Sequence, residues 1–376
     1  MLNRGCRPRW RRPHHRFRHS SVNREERMSA SMSAALKIGV IGLGRMGQLY
    51  ARTLMTQVAG VRLYAVAESA EQLRTSTAQQ FNVPHAFASA HELLALPELQ
   101  AVVIATPTQT HAELVIAAAR AGKAIFCEKP LALTLEATRR VLDAVIEAQV
   151  PLQVGFMRRF DGAYKKAKAL IDAGTIGRPV TLKSVGRDPF CPRPDYADPA
   201  QSGGLIIDMA IHDFDLARWL MGSEVERVSA EGTLLVCEQL QQVGDIDNAV
   251  VNLRFASGAL GNVEVSRNAF YGYDIRTEVL GSEGAVTIGA HQYTPVVLLT
   301  RTGAQHDTVP YLMERFGDAY RTQIEHFADC LLTGKPPAVG GTDALAALKI
   351  GIAATQAYQT GRIVTLDELE LGPGYV

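Results

Sequence analysis

Leu36-Lys-Ile-Gly-Val-Ile41 runs straight into Gly42-Leu-Gly44-Arg45-Met46-Gly47 and on into Gln48-Leu-Tyr-Ala-Arg-Thr-Leu54. A β-branched run, a G-x-G-x-x-G turn and a helical pattern over 45–56 spell strand, tight loop and helix. Gly42 permits the sharp turn, Gly44 lets a pyrophosphate approach the backbone, and Gly47 lets the helix close onto the strand. Arg45 and Met46 open that helix, whose N-terminus favours negative charge. Glu68 ends the next β-branched run, 61–67, and follows Gly47 by 21 residues. A carboxylate there accepts the hydroxyls of an adenosine ribose and repels a 2′-phosphate. No Arg follows it directly, the next being Arg74, so the pattern predicts NAD rather than NADP.

Working outward, strand-like runs at 36–41, 61–67, 101–105, 123–127 and 151–154 alternate with helical stretches at 45–56, 70–80, 111–121 and 135–149. Such alternation means βαβ units and a parallel sheet. Ligands bind beyond the carboxyl ends of such strands. Thr106 and Pro107 lie at one such end, with His111 opening the following helix, and Glu128 and Lys129 lie at another. All five are expected around the cofactor, with Lys129 placed to polarise a substrate oxygen. After about residue 155 the pattern changes. A helix at 164–173 is followed by strand-like runs at 227–237, 249–255, 261–267, 276–281 and 285–288, joined by tight turns, then helices at 320–332 and 343–360. Sequential strands with short turns predict an antiparallel sheet. The expected division is a basic extension at 1–35, a dinucleotide-binding domain at 36–155 and a substrate and assembly domain at 156–376.

Within the second domain, ahead of its strands, runs Gly204-Leu-Ile-Ile-Asp208-Met-Ala-Ile-His212-Asp213-Phe-Asp215-Leu-Ala-Arg-Trp-Leu220. Read as one helix, Asp208, His212 and Asp215 fall at i, i+4 and i+7, on one face of an otherwise apolar segment. Burying such groups is costly unless they are paired or face a cavity. The stripe predicts an acid–base pair aimed into a pocket, with His212 as the group that titrates near neutrality; a satisfied structural pair is the plainer alternative.

Bulk properties bound the class. At 47% hydrophobic and 20% charged the chain is globular, and no run approaches the roughly 18 apolar residues of a membrane span. Residues 1–27 hold nine Arg and two Glu, a net +7 in a chain of +1, so the rest carries −6. An acidic body excludes nucleic acid as the expected partner. The basic start reads as a segment ahead of a true start at Met28 or Met32, a disordered tail, or an Arg-rich targeting peptide. Five scattered cysteines without C-x-x-C spacing predict a reduced, cytoplasmic setting and no metal site.

Taken together, the Gly42-x-Gly44-x-x-Gly47 turn, Ala105-Thr-Pro107, Glu128-Lys129-Pro130 and Asp208-x-x-x-His212 resemble the glucose–fructose oxidoreductase/inositol dehydrogenase family over roughly 36–365. Gly155-Phe-Met-Arg-Arg-Phe-Asp161 and Tyr271-Gly-Tyr-Asp274 are most similar to its bacterial myo-inositol 2-dehydrogenases. The resemblance implies an N-terminal Rossmann doubly wound parallel sheet and a C-terminal α/β domain with a large, mostly antiparallel sheet. It implies Lys129, Asp208 and His212 as catalytic residues, a Lys129–Pro130 peptide that is often cis, and a homotetramer or homodimer through the open sheet. The expected reaction passes a hydride from a secondary alcohol of a cyclic polyol to NAD, myo-inositol to 2-keto-inositol being the nearest case. Asp215, Arg158 and Tyr273 are expected to meet the substrate. Gly186-Arg187-Asp188-Pro189 departs from the His–Arg–Asn of some inositol dehydrogenases, and the Pro-rich insert 188–199 is long enough to reshape the pocket. Another inositol isomer or a pyranose, an NAD-using glycosidase, and a non-catalytic NAD-sensing regulator are the alternatives. Turnover without net NADH would mark the glycosidase; loss of the Lys or His would mark the regulator, and both are present.

Overall fold

The computed structural model describes residues 35–370; the basic start, its three readings and Cys6 lie outside the described residues. The first half runs β1 (Leu36–Ile41), α1 (Arg45–Thr56), β2 (Val61–Ala67), α2 (Glu71–Gln80), β3 (His85–Phe87), α3 (Ala90–Leu94), β4 (Ala101–Ile104), α4 (His111–Arg120), β5 (Ala124–Cys127), α5 (Leu135–Ala148) and β6 (Leu152–Val154). These strands form one sheet in the order β3-β2-β1-β4-β5-β6, parallel throughout. The central strands β4 and β5 are buried on both faces, which explains their unbroken apolar runs. Chain direction across the sheet reverses between β1 and β4, and that reversal opens the crevice above their carboxyl ends. The short β3 and α3 escape a periodicity reading. Yet Ser89 and Glu92 form a capping box at the start of α3, a signal present in the sequence.

The second half runs α6 (Gly162–Asp172), β7 (Pro179–Arg187), α7 (Pro194–Ala197), α8 (Pro199–Ser202), α9 (Gly204–Asp208), α10 (Ile211–Met221), β8 (Val225–Thr233), β9 (Asn248–Phe255), β10 (Leu260–Ser266), β11 (Asp274–Gly281), β12 (Ala285–Ile288), β13 (Gln292–Thr300), β14 (Gly303–Thr308), α11 (Leu312–Thr333), α12 (Gly341–Thr360) and β15 (Val364–Thr365). A seven-stranded sheet has the order β12-β11-β7-β10-β9-β8-β15. It is antiparallel except where β7 runs parallel to β10, so the expectation of a mostly antiparallel sheet holds. β7, the β13–β14 hairpin and β15 were not anticipated. Along β9, Ala249, Val251, Leu253 and Phe255 are buried and the residues between them are not. The buried face packs under α10 and α12; the other leaves Val180, Val250, Leu260 and Leu280 exposed. The two C-terminal helices return to the first half, α11 onto α1 and α12 onto α5. No helix among the described residues is long and apolar enough to cross a membrane.

Two expectations are corrected. The segment 204–220 is not one helix, because it breaks at Met209–Ala210 between α9 and α10. Cys191 and Cys237, 46 residues apart, form a disulfide, while Cys127 and Cys330 stay free and buried. Spacing along the chain says nothing of that pairing, since the fold alone brings the two loops together.

The loop carrying Cys237 hangs on one side chain. Asp247, fully buried, accepts hydrogen bonds from the amides of Leu235, Val236 and Cys237 and from Asn248 Nδ2. Asp247→Ala leaves those donors unpaired, at about 1–3 kcal/mol. A thermal melt should show a fall of several degrees, and a smaller one for Asp247→Asn, which keeps one acceptor; an unchanged melt would mean that the loop is held otherwise.

Candidate active site

On the cofactor side, backbone geometry enforces each glycine. Gly42 has φ +84°, and a Cβ on it would lie 2.7 Å from the Ala105 carbonyl oxygen and from Thr106 Cγ2. A Cβ on Gly47 would lie 1.8 Å from the Gly42 carbonyl oxygen, whereas one on Gly44 would meet nothing within 4 Å. Helix α1 has no side-chain cap, so its first amides remain available to an anion. Glu68 accepts from the Leu43 amide at 2.8 Å, the Ala70 amide at 3.0 Å and the Ser69 hydroxyl at 3.2 Å. Burial works against its charge, but these donors win and hold the carboxyl below its ordinary range. Arg74 is occupied with the Glu68 carbonyl at 2.7 Å. A cradle open at Gly44, an uncapped helix N-terminus and an ionised Glu68 fit a dinucleotide without a 2′-phosphate.

Two residues expected at the cofactor serve from behind. His111 is buried, its Nδ1 2.8 Å from the Pro130 carbonyl oxygen and its Nε2 2.9 Å from that of Thr106. It ties together the two strand-end loops rather than facing the crevice. Glu128 is also buried; it accepts from the Tyr50 hydroxyl and from the Lys129 amide at 3.1 Å. Tyr50 in turn accepts from Gln323 of α11 at 2.9 Å. Burial pushes the Glu128 carboxyl up, against the opposing pull of Tyr50 and Lys129.

Lys129 leaves the end of β5 through a cis peptide to Pro130 and crosses to the second half. Its Nζ donates to the Asp208 carbonyl oxygen at 2.8 Å and lies 3.2 Å from Asp208 Oδ1. The break after α9 makes this contact available, because a helix's last carbonyls lack intrahelical partners. Arg267 Nη2 holds Asp208 Oδ2 at 3.4 Å and its Nη1 holds Asp245 at 2.8 Å. His212 stands in the first turn of α10 with its ring 6.1 Å from Phe156, edge to face. Its Nδ1 is buried without a partner. Burial, then the charges of Lys129 and Arg158, hold it well below the ordinary imidazole value. Asp188 faces the same charges; burial and Asp208 push it up to about 6 while Arg267, Lys129 and Arg158 pull back. Tyr273 is buried beside it, its ionisation opposed by burial and then by Asp188.

Asp215 is not in this cluster. Only 1% exposed, it is gripped by Arg159 at 2.5 and 2.8 Å. With the helix broken between Asp208 and His212, the i, i+7 argument no longer joins Asp215 to Asp208. Arg158 likewise sits beneath the pocket, paired with fully buried Asp213 at 2.7 Å. A Cβ on Gly186 would lie 3.1 Å from Asp213 Oδ2, so the glycine makes room for that pair. The sequence reading missed Arg267, although Val263, Val265 and Arg267 share one strand face at period two, which places a guanidinium on the buried side.

Gly44→Ala should leave the melting temperature unchanged and weaken NAD binding, whereas Gly47→Ala should lower the melt itself. Equal effects in both assays would remove the distinction. For His212, a folded-state value below the unfolded one means that the unfolded chain takes up the proton first. Stability is therefore complete above about pH 6.5 and lost as pH falls toward the folded value. Urea titrations between pH 7 and 5 should show His212→Gln less acid-sensitive than wild type; parallel curves would contradict a buried neutral imidazole.

This architecture recurs in known proteins. Residues 36–156 match the GFO/IDH/MocA oxidoreductase family's NAD-binding Rossmann fold, and residues 168–366 match that family's C-terminal alpha/beta domain. The chain is 42% identical to the scyllo-inositol 2-dehydrogenase (NAD(+)) of Bacillus subtilis over 89% of this chain and 98% of that protein. It is 43% identical to the myo-inositol 2-dehydrogenase of Thermotoga maritima over 89% and 99%. The crystal structure of scyllo-inositol dehydrogenase from Lactobacillus casei with NAD(H) and scyllo-inositol superposes with a TM-score of 0.84 at 28% identity, covering 89% of this chain and 99% of that one. With glycine cradle, bridging lysine and both domains matched along nearly the whole described length, the chain belongs to the GFO/IDH/MocA oxidoreductase family.

Proposed function

We propose that the chain is an NAD-dependent inositol dehydrogenase that oxidises one ring CHOH to a ketone. The observation that carries this is the Lys129–Asp208 ion pair across the crevice at the carboxyl end of β5, with a buried His212 within reach of the lysine's charge. Bound NAD supplies the hydride acceptor. Neutral His212 takes the hydroxyl proton at Nε2. Lys129 Nζ donates to the same oxygen and stabilises negative charge as it develops. Asp208 keeps Lys129 on station through its carbonyl and carboxylate, and Arg267 keeps Asp208. Asp188 and Tyr273 suit the remaining ring hydroxyls, taking the place first assigned to Asp215, while Arg158 supports the floor.

The open face of the seven-stranded sheet is where a second copy docks. It mixes exposed Val180, Val250, Leu260 and Leu280 with Lys183, Glu264 and Glu278, a pattern that can pair with itself about a two-fold axis. A cytoplasmic setting suits free Cys127 and Cys330, and thiol trapping in cells reads how much of the Cys191–Cys237 bond forms there.

An NADH-formation screen with myo-, scyllo- and chiro-inositol, glucose and xylose tests the reaction. Turnover of myo- or scyllo-inositol above the two sugars is expected; turnover confined to the sugars would overturn the substrate class. Lys129→Ala should cost about two to four powers of ten in kcat with NAD binding kept, and near-normal turnover would remove Lys129 from the mechanism.

A further inference from the structure

Residues 188–203 cross the mouth of the cleft. They leave the end of β7 beside Asp188 and continue through α7 and α8 into α9, which ends at Asp208. One side is anchored to the second half. There Cys191 bonds to Cys237, Pro192 accepts from Gln239 at 3.3 Å, and Ala197, Cys237 and Leu240 form a small core of their own. The other side rests on the first half. Helix α8 packs on the 108–110 turn after Thr106 and Pro107. The Phe190 ring lies 4.9 Å from Tyr311, whose hydroxyl accepts from Arg45 of the glycine turn at 3.1 Å. Tyr196 projects from the middle of this span. Its neighbour Ala197 is fully buried in the anchor, yet Tyr196 is 56% exposed. Its ionisation is nonetheless opposed by Asp208 first, then by burial and Asp188, with Arg45 pulling the other way. Tyr196 is an exposed side chain midway along a span that begins beside Asp188, ends at Asp208 and rests on the 108–110 turn and on Tyr311, which places it at the mouth of the cleft.

We propose that residues 188–203 are a strap over the polyol pocket, stapled by the Cys191–Cys237 bond, and that the Tyr196 hydroxyl hydrogen-bonds the substrate and helps select it. This rests on the inositol dehydrogenase reading and adds a group that closes the pocket. A phenol is suited to a ring of hydroxyls because it donates to one and accepts from the next. The strap spans both halves, so Tyr196 holds its place only while the anchor holds.

The test uses the full-length protein and whichever polyol or sugar of the screen gives the highest kcat/KM. Tyr196→Phe removes one neutral hydrogen bond, so KM for that substrate should rise about five- to tenfold. Turnover number and NAD dissociation constant should stay within about twofold, the split expected of a group that binds rather than reacts. The staple is then opened with dithiothreitol. The dithiol gives two electrons to the sulfur–sulfur bond and becomes a cyclic disulfide, while Cys191 and Cys237 each end as a thiol. Wild-type KM should rise on reduction, with circular dichroism unchanged. In Tyr196→Phe the same reduction should add less than about twofold, since the staple acts through that hydroxyl. An unchanged KM in Tyr196→Phe, an undiminished response to reduction in that variant, or five free thiols in the unreduced protein would each overturn the proposal. If wild type turns over inositols and the variant is normal, only the strap fails; if wild type turns over none of the compounds, both readings fall.

Discussion

One contact holds the chemistry together: the Lys129 ammonium at the end of β5 reaching the carbonyl and carboxylate of Asp208. It joins the half that cradles the dinucleotide to the half that shapes the pocket. Much of the local structure exists to make it. The chain turns at Lys129–Pro130, with the Pro130 carbonyl clipped by His111 and the Lys129 amide held by Glu128. On the far side, α9 stops at Asp208 and so frees its carbonyl, while Arg267, itself held by Asp245, braces the carboxylate. The charge that the proposed reaction brings to the substrate is thus immobilised from both sides, which is what preorganised catalysis requires.

The floor of the site shows how a nearly all-buried helix carries charge. In α10, Asp213 and Asp215 are almost inaccessible to solvent. Adjacent arginines answer them one for one, Arg158 to Asp213 and Arg159 to Asp215. Arg159 also reaches Asp343 of α12. Removing any partner would leave an uncompensated buried charge, so these residues position the helix by mutual necessity. His212, just before them, is the exception, since burial and two nearby cations keep it neutral. Neutrality without a partner on Nδ1 is a cost to folding, and in the proposed reaction it is the condition for accepting a proton.

Most of the first half was legible because its signals are local. Strands β1 and β2 fall where the β-branched runs place them, and α1 begins at the residue after the second glycine of the turn. The glycine roles follow from sterics within a few residues, and Glu68 from a fixed βαβ length. The second half was legible in type and less so in detail. Reading strands from tight turns catches β8 to β12 and passes over β7 and the β13–β14 hairpin. The long helix reading fails for a physical reason. Residues 204–220 are apolar and helical in propensity throughout, so nothing in their local spacing marks the break at Met209–Ala210.

By itself the sequence determined the doubly wound sheet and the cofactor, and it singled out Lys129, Asp208 and His212 as the residues to propose for catalysis, since each is written in short-range spacing or in a motif order. The tertiary structure decided which charges pair. Asp215 left the site for Arg159, Arg267 entered it from β10, Asp188 turned inward, and Cys191 met Cys237. Those outcomes depend on strands and loops far apart in the chain arriving at one place. Electrostatic and covalent partners are chosen by distance in space, and no periodicity along the chain records it.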